Sequence, residues 1–446
     1  MNKSTIKKVN FPISSKCLDE ILIRYEIDLD TISIRELNRL VDKLSVEYSI
    51  KFLRFEFGVP GINSSPIGPS EEIKVIKNNI KISSTYPPFD GLQRLKKATS
   101  DFLEKYINIQ VPSSSCIPTV GAMHGGFICQ AICGRRILGA KTILYLDPGF
   151  PVNKLQAKFL GLEVESIDLY DYRGIALINK MESCFIEKNI GGVIWSSPNN
   201  PSWVCLKEAE LEGIGKLLTK YDVIGIEDSA YLGMDYRTDY SEPGKPPYIP
   251  TIANYTKNYF IIISSSKIFS YAGQRIAVTI ISPDLMNKRY ENLKKYFDTD
   301  KVGHAFIHGG IYPTTAGVAQ TAQHALAALF EAASIGEYNF LDDVKIYRDR
   351  AKEVKSIFKN NDFKLVYDQD MGDPISDGFY FTITKTGYKS SEILFHMLRH
   401  GMAGIPLNTT GSNREGIRIC VSNVSVKDYG ILSDRLNILN SYLNQL

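Results

Sequence analysis

Four short runs of apolar, mostly β-branched residues punctuate the middle of the chain: Thr142-Ile-Leu-Tyr-Leu, Val193-Ile-Trp, Val223-Ile-Gly-Ile and Tyr259-Phe-Ile-Ile-Ile. Their length and composition predict strands buried on both faces of a sheet. Between and beyond them the period changes to that of helices. Ser33-Ile-Arg-Glu36 is a capping box, and Ile34, Leu37, Val41, Leu44 and Tyr48 fall on one stripe, which predicts a docking helix. A proline-rich turn from Tyr86 to Gly91 and Leu92 opens a second helix through Leu95 and Phe102. Alanine-rich helical spacing runs from Ala316 past Phe330, and residues 337–360 continue it. Phe52-Leu-Arg-Phe-Glu-Phe alternates as a strand running into the turn at Gly58. Strand-like runs at 363–367, 379–384 and 417–421, with helices at 391–400 and 426–443, complete the pattern. The class this predicts is α/β: a mainly parallel central sheet flanked by helices, plus a smaller α+β domain.

Composition leaves that picture standing and removes some functions. The chain has 446 residues, 44% hydrophobic and 23% charged, which is ordinary globular material with room for a large and a small domain. A formal charge of +3 is too slight to argue for nucleic acid or a membrane surface. No run approaches the ~18 apolar residues of a membrane span, and the N-terminus lacks a signal-peptide core, so cytoplasm is the expected location. The seven cysteines are scattered and odd in number, against a disulfide framework. Cys129 and Cys133, four apart on a helix, have no second ligand pair at zinc spacing and are read as packing residues. No repeat or linker separates modules, and the Pro/Gly-rich stretch 241–247 reads as a surface loop.

Chemistry concentrates where the apolar runs stop. The last run passes into Ser264-Ser-Ser-Lys267, with Arg275 eight residues beyond the lysine. A lysine there is placed to form a Schiff base beside a bound phosphate, provided its surroundings favour the neutral amine. Taken alone, a strand end with a solvated lysine is the better reading. The other runs change the balance, because one ends in Asp228 with Tyr231 three residues on, and another in Asn200-Pro201. Open α/β sheets bind ligands at the carboxyl ends of strands, where these side chains converge. Thr119-Val-Gly121-Ala122-Met123 joins a strand to a helix, and its glycine lets backbone N–H groups approach an anion. It matches neither the dinucleotide nor the nucleoside-triphosphate glycine pattern.

With Asn200-Pro201, Asp228, Tyr231, Ser264, Lys267 and Arg275 in this order, the chain resembles the class I/II aminotransferases, fold-type I pyridoxal-phosphate enzymes related to aspartate aminotransferase. The resemblance starts near Ile34 and continues to the C-terminus. It implies residues 1–60 packing with the small domain, a large cofactor-binding domain at 61–325 and a small domain at 326–446. It also implies pyridoxal 5′-phosphate held on Lys267, with Asp228 keeping the pyridine nitrogen protonated and Asn200 and Tyr231 hydrogen-bonded to the ring oxygen. Gly121, Ala122, Met123, Ser264 and Arg275 would hold the phosphate, Phe150 would stack on the ring, and Tyr86 would reach the phosphate of a neighbouring subunit in a homodimer. Gly58, Asn200 and Arg418 would meet the substrate, Arg418 pairing with its α-carboxylate. An arginine inside an apolar strand, as in Gly-Ile-Arg418-Ile-Cys, is expensive unless a carboxylate meets it, and a structural ion pair satisfies that too.

The activity implied is transfer of an amino group between an L-amino acid and a 2-oxo acid, with Lys267 moving the proton. Lyases, synthases, decarboxylases and oxidases of the same fold keep the same lysine, aspartate and arginine and are the alternative. A non-enzymatic cofactor-binding regulatory module is a further one, disfavoured by the intact Lys267, Asp228 and Arg275. Two departures stand out: Trp203 occupies a position where the family usually has glycine, which bears on loop geometry and pocket size, and Ala277 stands where glycine is common. Residues 303–313 resemble the loop lining the substrate side-chain pocket, which makes His304 and His308 candidates, with surface or core histidines an equal reading. His396 and His400, four apart, lack the glutamate of a zinc helix and sit before Gly401 at a helix end, so no metal is expected.

Overall fold

The structure is a computed structural model that describes residues 12–445. The stretch examined for a signal-peptide core lies largely in residues 1–11, outside the described residues. The chain divides into two compact units. One comprises the described chain up to Gly58, Tyr347–Asp368 and the chain from Asp377 onward; the other comprises Val59–Ile346 and Gln369–Ser376.

The larger unit runs in chain order through α1 (Ile67–Asn78), α2 (Gln93–Ile107), β1 (Cys116–Thr119), α3 (Gly121–Cys133), β2 (Thr142–Asp147), β3 (Glu163–Asp168), β4 (Ile190–Ser196), β5 (Ile224–Asp228), β6 (Tyr259–Ser264), β7 (Ala277–Ile281) and α4 (Gln320–Ser334), with shorter helices between. Its seven-stranded sheet has the order β1-β7-β6-β5-β4-β2-β3. Only β7 is antiparallel to its neighbours, and the other strands all point the same way. Every residue of β2, β6 and β7 is buried, which is why these runs are continuously apolar rather than alternating. The edge strand β3 exposes Glu163 and Val164 and carries charge instead. One face of the sheet packs Ile143, Ile194, Ile226 and Ile262 against Ile128 and Ile132 of α3. Each such side chain contributes about 1.5–3 kcal/mol on burial.

α1, α2 and α4 pack together, with Phe102 and Phe330 ring centroids 4.5 Å apart. The N-terminus of α2 is satisfied from α4, since the Leu92 N–H donates to Gln323 Oε1 at 2.7 Å. Its C-terminus closes on Asn108 in the left-handed region, which Asn tolerates better than most residues. Because α4 belongs to this packing, the two units part inside the helix Phe340–Lys359, later than the 325/326 boundary expected above.

In the smaller unit the capping box at Ser33 and Glu36 is present, and Leu37, Val41 and Leu44 are fully buried in the predicted stripe. A four-stranded antiparallel sheet joins Ile405–Pro406, Ile417–Cys420, Tyr380–Thr384 and Lys364–Leu365, with helices Ser390–Arg399 and Tyr429–Leu443. The strand expected from Phe52 to Phe57 shrinks to Leu53–Arg54, parallel to Met402–Ala403. Both Phe55 and Glu56 are buried, so the alternation that suggested a one-sided strand is not what the fold uses. Among the described residues no helix is long and apolar enough to cross a membrane.

Candidate active site

The parallel sheet brings the ends of its strands to one edge. Asp228 closes β5 in register with Ser196 of β4 and Ile262 of β6. Lys267 lies one turn past β6, in the helical turn Ser265–Ile268, whose first N–H groups are capped by Ser264: its Oγ accepts the Ser266 N–H at 3.2 Å. The positive charge of Lys267 acts directly on Asp228. Burial pushes the Asp228 carboxyl up to about 6, against the opposing pull of the Ala230 N–H and of Lys267. Its Oδ1 is shielded from solvent and has no hydrogen-bond partner. A buried carboxylate oxygen left this way calls for a donor from a ligand, and a protonated ring nitrogen is a donor of that kind.

A second feature is an anion cradle. α3 starts at Gly121 (φ 73), and Val120 before it supplies no side-chain cap, so the first N–H groups of a 13-residue helix point outward. A Cβ built on Gly121 would lie 2.5 Å from Nη2 of Arg275. Only glycine leaves that space for the guanidinium. Arg275 follows the turn Ala272–Gln274 in the left-handed region (φ 50), with Nη1 donating to the Ala272 carbonyl at 3.0 Å. Ser264, at the end of β6, is in register with Ala277 just beyond Arg275. Helix N-terminus and arginine together suit a phosphate. Ala122 and Met123 occupy the same first turn, Met123 at the surface.

The loop between β4 and its following helix is tied down by Asn199, a residue the sequence reading passed over in favour of its neighbour. Its Nδ2 donates to the Pro148 carbonyl at 2.9 Å, and its Oδ1 accepts the Ser202 hydroxyl at 2.7 Å. The Trp203 N–H donates to the Asn199 carbonyl, closing a turn around Asn200. Trp203 itself has φ 63, the backbone conformation that glycine adopts freely, and its side chain is completely buried. Its ring meets that of Tyr231 edge-on at 5.3 Å. The departure from glycine therefore keeps the loop's glycine-like geometry and fills space behind Tyr231. Phe150, half-buried, caps the helix Pro151–Phe159 past the end of β2.

His124 is another residue missed, because a histidine beside glycines carries no pattern. Its Nδ1 accepts the Val120 N–H at 3.2 Å and its Nε2 faces Thr314 Oγ1 at 2.8 Å, so it braces the start of α3. Burial lowers it to about 4, which keeps the ring neutral and able to accept. The segment expected as a loop at 303–313 is helical, formed by Val302–Phe306 and a wide π turn Ile307–Ile311. His304 and His308 stack on its surface with ring centroids 4.0 Å apart, and His308 meets Phe89 edge-on. Tyr86 is 87% exposed.

Gly58 and Arg418 belong to the smaller unit and come together there. Arg418 is buried, lies 4.7 Å over the Tyr380 ring and donates from Nη2 to the Glu56 carbonyl at 2.7 Å. A Cβ on Gly58 would strike the Tyr380 hydroxyl at 2.5 Å and lie 3.9 Å from Arg418 Nη2. His396 and His400 are both held well below the usual histidine range, chiefly by burial. Among the described residues no three His, Cys, Asp or Glu side chains gather in a way that would hold a metal ion.

Comparison with known proteins identifies the family and the fold. The family model described as aminotransferase class I and II matches residues 71–436. The glutamate-pyruvate aminotransferase AlaC of Escherichia coli is 24% identical over 216 residues, 48% of this chain and 50% of that protein. A histidinol-phosphate aminotransferase of Caldicellulosiruptor saccharolyticus is 28% identical over 233 residues, 51% of this chain and 58% of that one. The chain thus spans about half the length of the relatives it matches. The fold is similar to that of aspartate aminotransferase from Thermus thermophilus, with a TM-score of 0.73 over 92% of this chain and 96% of that chain at 14% identity.

Proposed function

The chain belongs to the class I and II aminotransferase family, and from that premise we propose that it moves an amino group between an L-amino acid and a 2-oxo acid with pyridoxal 5′-phosphate. The observation that carries this is the meeting of Lys267 and Asp228 at adjacent strand ends, with Asp228 Oδ1 buried and lacking a partner. The residues fit the cofactor at both of its ends. Asp228 would take the pyridine nitrogen, and the Gly121–Arg275 cradle with Ser264, Ala122 and Met123 would take the phosphate. Asn200 and Tyr231 would hydrogen-bond the ring oxygen, and Phe150 would cover the ring face.

When bound, the cofactor supplies a ring that accepts the electron pair left as the substrate Cα loses its proton. Lys267 would hold it covalently through its amine. Once an amino acid displaces that attachment, the freed amine would carry a proton from the substrate Cα to the cofactor C4′ carbon. Asp228, with Oδ1 shielded from water, would hold the ring nitrogen's proton in place throughout. Arg418 would pair with the substrate α-carboxylate, where backbone at Gly58 passes close. Its buried, stacked guanidinium supports that role, since such a group is pre-organised for a planar anion. We further propose a homodimer in which Tyr86, standing clear of its own unit, serves the partner's phosphate site. Seven free thiols favour a reducing compartment, the cytoplasm.

The test has two arms. Borohydride reduction of the loaded protein should fix the cofactor on the peptide carrying Lys267, and Lys267→Ala should abolish that labelling. Labelling at another lysine would overturn the site. A single turnover under nitrogen, with the best amino donor and no acceptor, should then convert the cofactor stoichiometrically to its pyridoxamine form, reversed by a 2-oxo acid. Continuous release of ammonia or carbon dioxide, with the aldehyde form persisting, would replace transamination by lyase or decarboxylase chemistry.

A further inference from the structure

We propose that Trp203 is a positioning residue that fixes Tyr231 and through it sets the protonation behaviour of the bound cofactor; the inference rests on the role given to Tyr231 above. Trp203 sits in the left-handed region at φ 63, where a β-carbon is disfavoured and glycine is not. Nothing in the backbone requires tryptophan there. The turn is closed by main-chain bonds from Trp203 to Asn199 and from Asn199 to Val204, and by the Asn199 side chain, none of which needs an indole. What the indole does is fill buried space against Tyr231, edge to face with an interplanar angle of 65°. Edge-to-face pairs have a directional preference beyond simple burial, so the ring of Tyr231 is held at one tilt. A strained backbone with a fully buried, oriented ring points to selection for placing its neighbour.

The same turn carries Asn200, the other residue assigned to the ring oxygen, and Tyr231 lies in the turn that follows the adjacent strand β5, three residues past Asp228. Trp203 thus joins the turn after β4, which carries Asn200, to the turn after the adjacent strand β5, which carries Tyr231. Tyr231 is a donor in this reading. A donor to the ring oxygen stabilises the form in which that oxygen carries unshared negative charge, and so lowers the pH at which the cofactor's visible absorption titrates. Loosening Tyr231 raises that midpoint. Because Trp203 is fully buried, it is not expected to change the size of the opening to substrate.

The experiment is a spectroscopic pH titration of the loaded protein in wild type, Trp203→Gly, Trp203→Phe, Tyr231→Phe and the double variant Trp203→Gly with Tyr231→Phe. Loss of a hydrogen bond to a charged group corresponds to a midpoint rise of ~1–2 pH units for Tyr231→Phe. Trp203→Gly should raise it by roughly a third to a half of that, and Trp203→Phe by less, because an aromatic edge is retained. In the Tyr231→Phe background, Trp203→Gly should add almost nothing, the coupling expected of a residue that acts through another. Trp195→Phe, a comparable loss of buried indole on β4, should leave the midpoint unchanged. Glycine suits φ 63, so Trp203→Gly keeps the backbone conformation, and Trp203→Phe provides the reading if that variant folds poorly. If Tyr231→Phe shifts the midpoint while both Trp203 variants leave it alone, the inference is overturned and the Tyr231 assignment stands. If Tyr231→Phe has no effect either, the assignment of Tyr231 fails and takes the inference with it. Equal shifts in Trp203→Gly and Trp195→Phe would also overturn it, since any core void would then suffice.

Discussion

Gly121→Ala is the sharpest perturbation of the proposed cofactor site, because the structure gives two separable magnitudes for it. An L-residue at φ 73 carries a backbone penalty of about 1–2 kcal/mol, felt whether or not cofactor is bound. The new methyl would also lie 2.5 Å from Arg275 Nη2, and the guanidinium must retreat by nearly 1 Å to reach an ordinary contact at 3.4 Å. A charge-assisted hydrogen bond is worth ~1.5–3 kcal/mol, so losing its geometry to the phosphate weakens cofactor binding by ~10- to 150-fold. The assay compares pyridoxal phosphate with pyridoxal, which lacks the phosphate, by absorption titration of cofactor-stripped protein. Affinity for pyridoxal phosphate should fall by that factor while affinity for pyridoxal stays within about twofold of wild type. Gly126→Ala on the same helix is the control, since its Cβ would meet nothing nearer than 3.9 Å. An equal loss for both ligands, or none for pyridoxal phosphate, would refute the cradle and leave Gly121 as a turn glycine only.

Other perturbations reach different parts of the chain. Asp228→Ala should leave cofactor bound, because the cradle persists, yet slow proton abstraction by several orders of magnitude in stopped-flow measurements; a near-normal rate would show that another group holds the ring proton. Glu227 is buried next to Asp228 and is pushed up from 4.5 to about 7 by burial, against the opposing Thr251 and Ile252 donors. The fold therefore prefers it neutral: its contribution is fully present below pH 4.5 and is lost as pH rises through about 7. At ~1.4 kcal/mol per pH unit the loss reaches about 3 kcal/mol by pH 8. Glu227→Gln should remove that part of the pH dependence in urea unfolding between pH 5 and 8, and a variant curve parallel to wild type would contradict the burial argument. Tyr86→Ala and Lys267→Ala, each inactive alone, should recover activity when unfolded and refolded together; heterodimers that stay inactive would mean self-contained subunits.

Much of the fold could be read in the sequence because its signals are local. Continuous apolar runs such as Tyr259 to Ile263 mark strands buried on both faces, and the capping box at Ser33 marks a helix start, whatever lies elsewhere in the chain. What could not be read depends on partners distant in sequence. Phe52 to Phe57 alternates like a strand, yet Glu56 is buried, its side chain paired with Arg54, and Phe55 exchanges backbone bonds with Ala403 and Cys420. Trp203 shows the converse case. The replacement of a glycine put the loop geometry in question, but main-chain bonds to Asn199 hold the turn and the burial of a large ring offsets its backbone strain.

The two adjacent acids on β5 show how far strand alternation alone can assign function. Glu227 and Asp228 are consecutive, so their side chains leave opposite faces of the sheet. Ile224 and Ile226 share the face of Asp228, and they pack with Ile194, Ile262 and the α3 residues Ile128 and Ile132. The face of Asp228 is thus the one covered by α3, the helix whose N-terminus carries the proposed anion cradle. Ser264 follows from Phe260 and Ile262 by the same parity, and Ser196 from Ile194. Glu227 leaves the other face, where its carboxyl Oε2 accepts the Thr251 hydroxyl at 2.7 Å and the Ile252 N–H at 3.1 Å and fixes a turn. Parity in the sequence divides the acids into two sets. It does not say which set faces the cradle, because Ile261 and Ile263 are as apolar as Phe260 and Ile262. The position of α3 breaks that symmetry, and it supports the ring-nitrogen role proposed for Asp228 on grounds independent of the order of motifs along the chain.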